Sequence, residues 1–250
     1  MSDAVLTDVA GGVATLTLNQ VDNHNALSVE LVAGLRAALD AALADDAVRV
    51  VVLTNNGPTF CAGADLRTGG GTGGSPNAFP SILGDMLDAP KPIVGRIAGG
   101  CFGGGVGLAA ACDISIAAER VRIGFTEVRI GVAPAIISVV CLPKLSRADA
   151  MELFLTGERI TATRAAEVGL VNRAVPDDDL DAAVDELVAK LVLGGPNALA
   201  AAKDLIRRVP AMDRDAAFEW TAERSASLFA SDEAKAGIAA FRAKEPPPWI

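Results

Sequence analysis

Between Val13 and Leu18 the chain alternates apolar residues with threonine (VATLTL), the two-residue period of a half-buried strand. A helical period follows. Ser28 stands ahead of VELVAGLRAALDAAL, where Leu31, Leu35, Leu39 and Leu43 recur on one face, so the pattern predicts a helix capped by Ser28. Residues 48–54 (VRVVVLT) are β-branched and apolar on both alternating sets, the signature of a strand buried on both faces. PIVGRIA at 92–98 and DISIA at 113–117 repeat it. Strands alternating with helices at this spacing predict an α/β layered architecture with parallel pairing. From about residue 196 only helix patterns remain: NALAAAKDLIRRV, DRDAAFEWTAERSASLFA and DEAKAGIAAFRAK, closed by Pro246-Pro247-Pro248. The chain is therefore divided into a core at 1–195 and a helical subdomain at 196–250.

Composition narrows the chemistry. Of 250 residues, 51% are hydrophobic and 21% charged, which describes a folded chain, not a disordered one. A net charge of −9 with 4% aromatic residues argues against a nucleic-acid footprint. The single histidine, His24, excludes any site needing two imidazoles, so neither a metal cluster nor a Ser-His-Asp triad is expected. His24 lies in a polar loop and reads as a surface or capping residue. Cys61, Cys101, Cys112 and Cys141 form no CxxC pair and read as buried thiols. The uncharged runs 97–112 and 130–143 are shorter than the ~20 residues of a spanning helix, so both are expected in the core. With no basic-then-apolar leader at its start, the chain is expected in the cytoplasm and off the membrane.

Two glycine strings invite a nucleotide-binding reading. Gly69 to Gly74 matches G-x-G-x-x-G but follows no strand and opens no apolar helix. Gly105 to Ala110 matches the G-x-G-x-x-A variant between a strand and a helix-like run, yet no second βαβ half with a ribose-binding acid follows. What Gly103-Gly104-Gly105 supplies is a helix start whose free N–H groups favour an anion and whose missing side chains admit a ligand closely. Asp65 and Asp113, at strand or turn ends, read as structural hydrogen-bond acceptors, and Ser138 as a candidate for the pocket wall.

A second strand-end loop, Phe60-Cys61-Ala62-Gly63-Ala64-Asp65-Leu66, directly follows the VVVLT strand. Together with residues 98–108 (AGGCFGGGVGL) and Ala111-Cys112-Asp113, it resembles the crotonase (enoyl-CoA hydratase/isomerase) superfamily. Asn25-Ala26-Leu27-Ser28, residues 125–131 (FTEVRIG) with Pro134, Gly169-Leu170-Val171-Asn172 and Phe241 to Lys244 extend the likeness, in order, over nearly the whole chain. The resemblance implies a spiral of ββα units with a C-terminal helical trimerisation region, assembled as a homotrimer or a dimer of trimers. It implies an acyl-CoA substrate and no separate cofactor, coenzyme A being part of the thioester. The Ala64 and Gly104 N–H groups would form the oxyanion hole. Ala26, Leu27, Ala62, Asp65, Leu66, Gly103 and Gly107 would contact the substrate or its CoA. Phe241 and Lys244 would be lent to the CoA nucleotide by a neighbouring subunit, with Arg242 a further source of positive charge.

Typical hydratases of that family use two glutamates. The later position is kept here as Glu127, whereas the earlier falls on Gly107, which cannot transfer a proton. Three readings follow from the resemblance: hydration with Glu127 as sole acid/base, proton shuttling between C2 and C4 of a 3-enoyl-CoA, or acyl-CoA binding with other chemistry or none. The string from Phe102 to Ala117, with residues 125–138, is similar to hydratases of branched or carboxylated enoyl-CoAs of the methylglutaconyl-CoA type. Hydration of the 2,3 double bond is therefore the expected activity, with acyl preference left to the segment at 67–90.

Overall fold

The computed structural model describes residues 3–68 and 75–250, so the glycine string at 69–74 lies outside the described residues. Ten strands form among these residues: β1 (Val5–Ala10), β2 (Val13–Leu18), β3 (Val50–Asn55), β4 (Thr59–Cys61), β5 (Ile93–Ile97), β6 (Gly100–Phe102), β7 (Ile114–Ala118), β8 (Arg122–Gly124), β9 (Ile160–Thr161) and β10 (Arg173–Val175). They make a six-stranded sheet in the order β1-β2-β3-β5-β7-β10 and a four-stranded sheet in the order β4-β6-β8-β9. Pairing is parallel except at β1–β2 and β8–β9.

The strands read from periodicity are all present. Every residue of β3 is buried, as its unbroken β-branched run requires. β1, not anticipated, is an edge strand with only Val5 buried, so its sequence carries little apolar signal. The short β4 and β6 were also beyond the pattern, because three residues cannot establish a period.

Helix α1 (Val29–Ala44) packs on α2 (Ala78–Asp88), and α2, α3 (Gly104–Ala111) and α4 (Ala135–Cys141) each give residues to the site described below. The Ser28 hydroxyl accepts the Leu31 N–H at 3.1 Å, the cap expected of it. α2 crosses a stretch that carried Pro80 and Gly84 and no helical expectation. Pro80 is tolerated because it sits in the first turn, where a missing N–H costs no intrahelical bond. Phe79, Ile82, Leu83 and Met86 then anchor one face.

The run 130–143 departs from its expectation as core. Ile130, Val132, Val139 and Leu142 are exposed, and only Ile137, Val140 and Cys141 of its large apolar residues are buried. Gly131 and Pro134 break the run into a turn and the short α4, so one face alone reaches the interior.

Beyond α5 (Arg147–Thr156), α6 (Ala162–Glu167) and α7 (Leu180–Val192), the chain is helical, as α8 (Pro196–Arg208), α9 (Arg214–Ala230) and α10 (Asp232–Ala243). α8 is moored by Lys203, whose ammonium donates to Asp113 Oδ2 at 2.7 Å and to the Lys91 carbonyl at 3.0 Å. Arg49 donates to the Trp249 and Gly194 carbonyls, fastening the C-terminal turn to the core. The four cysteines are buried and free, and burial pushes the thiols of Cys61, Cys112 and Cys141 up to about 12. No helix of the described residues is long and apolar enough to cross a membrane.

Candidate active site

β4 and β6 are parallel neighbours, paired at Thr59–Gly100 and Cys61–Cys101 with a register shift between, so the loops at their carboxyl ends emerge side by side. The backbones then touch. A Cβ on Gly63 would stand 3.0 Å from the Phe102 carbonyl oxygen and 3.1 Å from the Gly104 nitrogen, and one on Gly105 would strike the Cys61 carbonyl. The glycines of the G-x-G-x-x-A string thus serve close packing, and α3 is buried from Gly105 to Ala111, which leaves no open face for a dinucleotide. Gly103 has φ +53° and ψ −122°, a conformation open to glycine and strained for other residues.

The segment before α1 holds the first loop in place. The Leu27 N–H donates to the Gly63 carbonyl at 2.8 Å, the Ala62 N–H to the His24 carbonyl at 3.1 Å, and Leu27 bridges to Ala64. Buried Asn25 accepts the Gln20 N–H and donates to the Asn56 and Thr59 carbonyls, locking the turn. Neither the Ala64 nor the Gly104 N–H has an acceptor among the described residues. Gly104 also opens α3, where the first N–H groups have no intrahelical partner.

Glu127 comes from a single 3₁₀ turn, Thr126–Ile130, following β8, which pairs with β6. Its Oε1 lies against Gly103, 3.2 Å from where a Cβ would be. Its Oε2 is buried and has no hydrogen-bond partner among the described residues. Loss of water around the carboxyl holds its pKa above the ordinary value. The cleft in which it sits encloses about 660 Å³.

The structure brings together Ala62, Ala64, Leu66, Gly103, Gly104 and Glu127 on the wall of that cleft. Ala26, Leu27 and Asp65, expected to contact the substrate, are buried and do not line the cleft. Asp65 accepts hydrogen bonds from the Arg67 backbone and guanidinium and from Asn23. Gly107 is buried and covered by Ile137. Phe241 and Lys244 are exposed at the end of α10 and do not line this chain's own cleft. His24 is exposed with φ +51°, its Nδ1 3.3 Å from the Thr59 hydroxyl. Ser138 donates back to the Ala135 carbonyl and is not part of the wall. Phe79 and Arg159 line the cleft without any sequence signal having marked them, and Arg129 and Ile137 line it from within the motif at 125–138, where neither was singled out. The Arg159 guanidinium lies 4.5 Å over the Phe102 ring, a contact between residues far apart in the chain.

The fold, two parallel strand-end loops meeting beside a half-buried carboxyl, is of the crotonase α/β class. Residues 8–250 match the family model for enoyl-CoA hydratase/isomerase. An enoyl-CoA hydratase of Mycobacterium tuberculosis is 31% identical, over 97% of this chain and 94% of that protein. A 2,3-dehydroadipyl-CoA hydratase of Escherichia coli is 31% identical over 94% of each. The crystal structure of an enoyl-CoA hydratase from Mycobacterium smegmatis superposes with a TM-score of 0.92 at 30% identity, covering 99% of both chains. The chain belongs to the enoyl-CoA hydratase/isomerase family and has the crotonase fold.

Proposed function

We propose that this protein is an enoyl-CoA hydratase, adding water across the 2,3 double bond of an enoyl-CoA thioester. The observation that carries the reading is the pairing of two N–H groups, on Ala64 and Gly104, that have no acceptor among the described residues, with one half-buried carboxyl whose Oε2 has no partner among them. The thioester carbonyl accepts both N–H bonds and is polarised. Glu127 takes a proton from water as the oxygen bonds to C3, and the π electrons move onto the thioester oxygen as an enolate. Glu127 then returns that proton to C2, leaving hydrogen on C2 and hydroxyl on C3. Each preorganised donor stabilises the enolate by roughly 3–4 kcal/mol, the scale measured for other oxyanion holes. A carboxyl raised by burial suits both halves of the transfer. The test is loss of the conjugated enoyl-thioester absorbance with purified protein; an undiminished rate in Glu127→Gln would overturn the assignment of the base.

A second reading has its own support. Ile137 covers the position where a second acid would sit, so one face of the double bond meets hydrocarbon. Proton transfer from C4 to C2 of a 3-enoyl-CoA needs one base and no water. Parallel assays of 2-enoyl and 3-enoyl thioesters separate the two, and retention on immobilised NAD but not on CoA would sink both.

The proposal extends to assembly as a homotrimer or dimer of trimers. α9 and α10 bury no residue within the chain, while Phe218, Phe229 and Phe241 are 70%, 69% and 84% exposed. A partner subunit would cover such a surface and would bring Phe241 and Lys244 to its neighbour's CoA nucleotide.

A further inference from the structure

Gly107 follows Gly104 by three residues on α3, hence lies on the same face about 4.5 Å further along the axis. In the reading above, on which this inference rests, the thioester carbonyl sits at Gly104. An acyl chain that runs along α3 from that carbonyl, at about 1.5 Å per carbon–carbon bond, has C3 and C4 within reach of Gly107. That face is already filled. A Cβ on Gly107 would collide with Ile137 Cγ2, lie 3.0 Å from Ile137 Cβ and come within 3.7 Å of Leu83 Cδ1. Ile137 is 3% exposed yet forms part of the cleft wall, and its β-branch leaves χ1 little freedom to turn away.

We infer that Ile137, seated on Gly107, is the specificity-determining residue of the acyl pocket: it occupies the volume that a side chain at 107 would need and presents hydrocarbon to the substituent on C3. The two positions are mutually exclusive. A larger residue at 107 requires a smaller one at 137. Glycine at 107 is therefore more than a lost acid, since it is what allows the isoleucine to seat. A missing methyl in such a wall changes discrimination between substrates about 10–200-fold.

The experiment compares the full-length wild type with Gly107→Ala, Ile137→Ala, the double variant and the milder Ile137→Val. It measures kcat/KM for crotonyl-CoA and 3-methylcrotonyl-CoA. Gly107→Ala is expected to lose at least about tenfold on crotonyl-CoA, and the double variant to recover most of that loss, a non-additivity that contact between the positions demands. Ile137→Ala is expected to raise the 3-methylcrotonyl to crotonyl ratio about tenfold or more, with Ile137→Val moving it the same way by less. The pH profile set by Glu127 should not move. Additive losses, or a ratio unchanged in both Ile137 variants while crotonyl-CoA is turned over, overturn this inference alone. Failure of the wild type to turn over either thioester overturns the hydratase reading and this inference with it.

Discussion

The Glu127 carboxyl lies against the side of Gly103 that carries no side chain: a Cβ there would stand 3.2 Å from Oε1 and 3.4 Å from Cδ. Gly103→Ala would therefore push on the carboxyl and also strain a backbone at φ +53°, at a cost of about 1–3 kcal/mol. Because Gly103 immediately precedes the Gly104 donor, both halves of the site move. The expected result is a kcat reduced about 100-fold, with KM changed far less, in steady-state assays.

Glu127→Gln should lower kcat by about 10²–10⁴, the usual worth of a positioned acid/base. The same change should stabilise the fold. Burial raises the Glu127 pKa above 4.5, so between that value and the raised one the folded chain holds the extra proton and stability falls as pH rises. Near neutral pH the charged carboxylate carries that cost in full, and Gln removes it. Tm should rise at about pH 7 and match wild type near pH 4. The acidic limb of the wild-type kcat/KM profile should lie above the ordinary carboxylate range.

Asp65 directly follows Ala64, and its bonds to Arg67 hold its carboxyl down to about 2. The stability it lends is complete above the ordinary 3.8 and is lost as pH falls through about 2. Asp65→Asn should remove that component from acid unfolding followed by circular dichroism. Loosening the loop should also reduce kcat/KM about tenfold at neutral pH, since small displacements of an oxyanion donor are costly.

Lys203→Met tests the mooring of α8. Lys203 and Asp113 are 14% and 26% exposed, and burial raises the Asp113 carboxyl even with the ammonium beside it. Removing the cation leaves a largely buried carboxylate without its counter-ion, at about 3 kcal/mol in urea unfolding. Adding Asp113→Asn should restore part of the loss.

Replacing Phe218 and Phe229 together by aspartate should dissociate the proposed trimer in sedimentation velocity. Lys244→Ala should leave the assembly intact and weaken binding of a CoA thioester. A wild type that sediments as a monomer would overturn the assembly.

The elements with strong local signals were legible in the chain: the threonine-alternating β2, the doubly buried β3, α1 under its Ser28 cap, and the C-terminal helices. Ordered motifs also identified the family, because the two glycine-rich strand-end loops and FTEVRIG recur together along the sequence. What stayed hidden has physical causes. The edge strand β1 lacks burial, α2 passes through Pro80 and Gly84, and the run 130–143 is broken so that half of its apolar residues face outward.

The sequence by itself determined the order of the motifs, and through them nominated one acid, Glu127, with a glycine at 107, where typical hydratases of the family hold a second acid. Only the tertiary structure decided what those residues face. Backbone donors do not show in a side-chain inventory: among the described residues the Ala64 N–H is left without an acceptor in a loop held by Leu27 and Ala62, and the Gly104 N–H by its place at the start of α3. The emptiness of Gly107 was a sequence fact; its filling by Ile137, thirty residues later, follows from α4 packing on α3. Side-chain type is local, whereas burial, contact and pKa belong to the neighbours that the fold supplies.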